Sequence, residues 1–90
     1  MSTVWIPQVL RAAAGGNKQL ELAGASVGEV VDALVERYPS LRSQILTDGG
    51  ELNRFVNVYV NGQDVRYLGG LGTPVGERDE VRLLPAMAGG

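Results

Sequence analysis

One segment, "SVGEVVDALVERYP" at positions 26–39, constrains this chain more than any other. Its apolar residues Val27, Val30, Val31, Leu34, Val35 and Tyr38 recur at offsets 0, 3, 4, 7, 8 and 11, which predicts one helix with a single apolar stripe about 100° wide. Ser26 followed by Glu29 is a capping box: the hydroxyl accepts the free N–H three residues on, and the carboxylate reaches back to the cap's own N–H. Pro39 blocks further α-helix, and Arg37 complements the partial negative charge of the helix end. A helix with one apolar face needs a partner surface, and the strand patterns elsewhere give it a sheet to cover.

"TVWIPQVL" (3–10) is rich in β-branched and aromatic residues, and "KQLELAG" (18–24) alternates around Leu20 and Leu22, so both read as strands. Between them Gly15, Gly16 and Asn17 suit a hairpin with a longer loop. Leu41, Ile45 and Leu46 suggest one more helical turn before "TDGGELN" opens a loop. "RFVNVYV" (54–60) puts Val56, Val58 and Val60 on one face and Phe55, Asn57 and Tyr59 on the other. Asn61-Gly62 then signals a type I′ turn, after which "DVRYL" should return alongside. A turn is expected at Glu77 to Asp79, and "EVRLLPA" reads as a last strand with Val81 and Leu83 inward and Arg82 and Leu84 outward. The expected order is strand, strand, helix, strand, short strand, strand: an α+β fold with no second domain and no repeat.

Composition removes most catalytic templates. The chain has no cysteine and no histidine, hence no disulfide, thiolate nucleophile, usual zinc ligand or imidazole base. Eight basic against ten acidic residues give a net charge of −2, which argues against nucleic acid as a partner. No stretch reaches the roughly 20 apolar residues a bilayer span needs. A soluble, cytoplasmic protein is the expectation. Ninety residues bury one small core, so chemistry belongs at an edge, a surface or a terminus.

Several local patterns have plain structural readings. Ser26 and Glu29 cap a helix, and Glu77, Asp79 and Glu80 make a solvated turn without regular cation-ligand spacing, so no metal site is expected. "GGLGTPVG" lacks the lysine and the following helix of a phosphate loop. Strand alternation places Trp5, Pro7 and Leu84 outside with Tyr59 beside them, a candidate partner surface; a partly buried core position for Trp5 is equally compatible.

The ending "LLPAMAGG" is the remaining feature. Gly-Gly also occurs at 15–16, 49–50 and 69–70, so its position at the terminus and not the dipeptide itself carries any meaning. The element order, "VNVYVNGQDV", the turn "ERDEVRLLP" and the terminal "AGG" together resemble the ubiquitin-like β-grasp sulfur carriers (ThiS/MoaD-like) of thiamin, molybdopterin and cysteine biosynthesis. "TVWIPQVLR", "RFVNVYVN", "DVRYLGGL" and "LLPAMAGG" look closest to the cysteine-pathway branch. Glu77-Arg78-Asp79 departs from the acidic-glycine-acidic turn of many relatives, which touches turn geometry only.

The resemblance implies a β-grasp domain over residues 1–86, with a mixed four- to five-stranded sheet covered by one main helix, and a flexible tail over 87–90. It implies that the protein is not an enzyme but a co-substrate of enzymes, with Gly90 as the reactive carboxylate and Met87, Ala88 and Gly89 threading into partner channels. No cofactor would be bound; ATP would be used by an E1-like adenylating partner. The further partners would be a sulfur-accepting enzyme, such as a PLP-dependent cysteine synthase, and a metal-dependent peptidase. Glycine suits the tail because it lacks Cβ, and four extended residues span at most about 14 Å at ~3.5 Å each. With no cysteine to hold a persulfide, the terminus is the one plausible covalent carrier site. Two other readings share parts of this evidence: a ubiquitin-like modifier joined through Gly90 to lysine, and a binding-only β-grasp module.

Overall fold

The structure, a computed structural model, describes residues 1–85. Five strands form one mixed sheet in the order β2-β1-β5-β3-β4: β1 is Ser2–Trp5, β2 Gln19–Leu22, β3 Val56–Val60, β4 Gln63–Asp64 and β5 Glu80–Pro85. The central pair β1–β5 is parallel, and every other pair is antiparallel. The main helix, Val27–Arg37, buries Val27, Val30, Val31, Leu34 and Val35 in one core with Val4, Val58, Val81 and Leu83 of the sheet. This is the α+β β-grasp arrangement expected from the sequence, with the fifth strand present.

The capping box forms with one shift. Ser26 Oγ accepts the Glu29 N–H at 3.2 Å, but the Glu29 carboxylate accepts from Ala25 N–H at 3.2 Å rather than from Ser26. Asn61 (φ 51°) and Gly62 (φ 87°) both take the left-handed conformation that the hairpin turn requires. Beyond the helix, Pro39–Leu41 makes a 3-10 turn that runs into the short helix Arg42–Ile45, the extra helical turn expected.

Three strand assignments need correction. The strand read over 3–10 ends at Trp5, and Gln8–Arg11 is a short helix followed by a 3-10 turn at Ala12–Ala14. Pro7 precedes that helix with an extended backbone, Leu10 N–H donates back to the Pro7 carbonyl at 2.9 Å, and the turn buries Leu10 in the core. Arg11 Nε caps the Ile6 carbonyl at 3.1 Å. The strand read over 54–60 begins only at Val56, because Arg54 and Phe55 lie in a turn. The return strand "DVRYL" shrinks to Gln63–Asp64: the Asp64 carboxylate accepts the Arg66 N–H at 2.9 Å and starts a 3-10 turn over Val65–Tyr67.

Candidate functional site

The side of the sheet away from the main helix carries a row of side chains in register. Trp5 pairs with Arg82, and Arg82 pairs with Tyr59, so the three stand abreast on β1, β5 and β3. The Arg82 guanidinium lies 5.1 Å from the centre of the Trp5 ring, a cation–π contact. Trp5 Nε1 donates to Glu80 Oε1 at 2.8 Å. Two residues past Arg82 on the same face stands Leu84, exposed and directly across from Asn57. Tyr59, Glu80, Arg82 and Leu84 line a shallow concavity of about 330 Å³.

Trp5 is therefore half-buried under Arg82 on the open face and is not part of the core. Trp5, Tyr59 and Leu84 lie on this same face of the sheet. Pro7 does not join them: it sits past the end of β1 and begins the Gln8–Arg11 helix. Arg82 and Glu80 complete the row, and alternation along β5 was the signal that could have found them. Both stay solvent-exposed, and what the sequence does not reveal is that Arg82 stacks on Trp5 from the neighbouring strand.

The turn that feeds β5 is held by side chains. Asp79 accepts from Gly76 N–H at 2.8 Å through one carboxylate oxygen and from the Asn61 amide at 2.8 Å through the other. The Gly76 N–H and then the Asn61 amide hold the Asp79 carboxyl below its usual pKa. Asn61 also accepts the Glu80 N–H at 3.0 Å, so its side chain ties the β3–β4 turn to the start of β5. Both oxygens of Asp79 are thus committed to turn structure. Among the described residues no group of three or more acidic, His or Cys side chains is placed to hold a metal ion. No helix among them is long and apolar enough to cross a membrane.

β5 ends at Pro85, whose partner across the ladder is Val56. Met87, Ala88, Gly89 and Gly90 lie outside the described residues. The open-face row is thus on the strand that leads directly into them.

The sequence pattern of the ThiS family matches residues 4–90. The chain belongs to the ThiS family. It is 42% identical over 90 residues to the sulfur carrier protein CysO of Mycobacterium tuberculosis, covering 98% of this chain and 97% of that one. A chain of the crystal structure of the Amycolatopsis orientalis BexX/CysO complex superposes with a TM-score of 0.90 at 42% identity, with all of both chains covered. Small archaeal modifier protein 1 of Haloferax volcanii is 39% identical over 66 residues, which is 73% of this chain and 71% of that protein. The crystal structure of SAMP1 from Haloferax volcanii superposes with a TM-score of 0.78 at 33% identity over 99% of this chain and 98% of that one, so this ThiS-family chain shares its fold with a modifier as well as with a carrier.

Proposed function

We propose that the protein is a sulfur carrier, a small protein substrate whose Gly90 carboxylate is activated and converted to a thiocarboxylate, with cysteine biosynthesis as the favoured destination of the sulfur. The observation that carries the reading is the 42% identity to CysO over nearly the full length of both chains. The terminal Ala88-Gly89-Gly90 supplies the chemistry.

A carboxylate resists attack because its charge is delocalised and its oxygens are poor leaving groups. In an activating partner, a Gly90 oxygen attacks the α-phosphorus of ATP, pyrophosphate departs, and an acyl adenylate results. A sulfur nucleophile then adds to the carbonyl carbon and AMP leaves, giving Gly90–C(=O)S⁻. That thiocarboxylate is a soft nucleophile for a second enzyme's activated acceptor. In the cysteine route the acceptor enzyme is a PLP-dependent synthase, and a metal-dependent peptidase releases the amino acid formed on the carrier's end. The folded body contributes a docking face, Trp5, Tyr59, Arg82 and Leu84, positioned just before the tail. That a CysO of Amycolatopsis orientalis is found in complex with BexX supports a role for the folded body in docking on another protein.

A second reading is favoured by the 39% identity to a small archaeal modifier protein: the same acyl adenylate, passed to a lysine amine, joins Gly90 to another protein. Intact mass spectrometry after incubation with ATP, a sulfur source and the candidate activating enzyme separates the two. Exchange of one oxygen for sulfur on the C-terminal peptide is the expected result. Lysine-linked adducts in place of it would establish the modifier, and an unchanged mass in a mixture that thiocarboxylates CysO would end both.

A further inference from the structure

Two surfaces meet at Pro85, the last described residue of β5. One is the open-face row that ends at Leu84. The other, on the side of Val9 and Leu10, is a groove of about 300 Å³. Buried Leu10 and Val56, exposed Pro85, and the polar Gln44 and Asn53 line it. Val9 and Phe55 stand at the rim, 69% and 61% exposed. They come from separate parts of the chain, the Gln8–Arg11 helix and the turn before β3, and the fold brings both to the place where β5 ends. None of the lining residues carries a charge. The charge beside them is cationic: the Arg54 guanidinium lies 5.4 Å from the centre of the Phe55 ring. Arg66 stands behind, donating to the Asn53 and Val56 carbonyls and to the Asn57 side chain.

From this geometry we infer that the groove is a second docking contact, filled by the enzyme that activates Gly90, through a segment presenting one aliphatic or aromatic side chain next to a carboxylate. The inference rests on the Gly90 reading. Five residues follow Pro85, and at ~3.5 Å each they reach at most about 17 Å, so an active site holding the Gly90 carbonyl must bring its own wall over this end of the molecule. Two rim residues that are mostly exposed apolar surface gain from being covered there. A carboxylate meets the Arg54 cation on its solvent side while the ring holds the other. The two docking surfaces then flank the root of the tail from opposite sides of the sheet and fix the direction in which it enters.

The test uses the full chain with the activating enzyme that modifies Gly90 in the mass assay. The variants are Val9→Ser/Phe55→Ser, Arg54→Glu, and Tyr67→Ser as a control at an exposed aromatic outside the groove (88% exposed). Unfolding midpoints and amide NMR spectra establish that each remains folded. The first two should raise KM for the carrier about tenfold with kcat little changed, and Tyr67→Ser should match wild type. Wild-type KM in the groove variants overturns the inference and leaves the Gly90 reading intact. A lower KM would mean that residues 86–90 of the same chain occupy the groove, and a wild-type dimer split by the variants in sedimentation would mean a second copy does; either overturns it. If wild-type Gly90 is never modified, the Gly90 reading falls and takes this one with it.

Discussion

On one strand, β5, alternate residues face opposite worlds. Val81 and Leu83 are 0% and 1% exposed against the main helix, whereas Arg82 and Leu84 point to the open side, with Leu84 37% exposed. The inward pair is fixed by volume, since interiors are close-packed and have no room to vary. The outward pair is almost free of that constraint. Arg82 contributes a stacking contact on Trp5 and little else to the fold, so this face can be shaped for recognition without weakening the core. A protein read by a partner gains from such a division: the body stays the same while the surface is read.

The contrast is sharpened most by Leu83→Ala, which should cost about 2–5 kcal/mol in denaturant unfolding by leaving a cavity in the core. A loss near zero would mean that the inward face is not what holds the sheet. Arg82→Glu should do the reverse, with unfolding free energy within about 0.5 kcal/mol of wild type and KM for the activating enzyme raised about tenfold. If unfolding and not KM responds, the open face is structural. Ser26→Ala removes the cap of the main helix and should cost about 1 kcal/mol with unchanged KM.

Asp79→Asn gives the smallest effect, and its sign is set by linkage. The folded-state pKa lies below the unfolded value near 3.8, so the contribution is present above that value and is lost as pH falls through the folded one. The variant should unfold slightly earlier than wild type at neutral pH, and the gap should close in acid. A gap that persists at low pH would mean that the amide disturbs the turn for reasons unrelated to charge.

Much of this division was legible in the sequence. The main helix announced itself through its stripe, its cap and Pro39, and the β3–β4 turn through Asn61-Gly62, because both are local effects of backbone chemistry. The Gln8–Arg11 helix was hidden because "TVWIPQVL" has strand composition, and what bends it is tertiary: Leu10 has a place in the core and Arg11 caps the Ile6 carbonyl. Asp64 ended its strand early by an Asx-type turn onto Arg66, a signal present in the residue type but outweighed by "VRYL". At the site, alternation puts Trp5, Tyr59 and Leu84 on the open face, while Pro7 falls outside it because β1 ends at Trp5. The groove at Val9 and Phe55 had no sequence signal, since it depends on two segments that meet only when the sheet is complete.

The most direct test of the account compares the full chain with one lacking Gly90, each given the activating enzyme, ATP and isotopically labelled sulfide. Label should appear on the wild-type C-terminal peptide, and the shortened chain should remain unlabelled although its folded body is intact. Labelling of the shortened chain at the wild-type rate would contradict the claim that the body docks and the last carboxylate reacts.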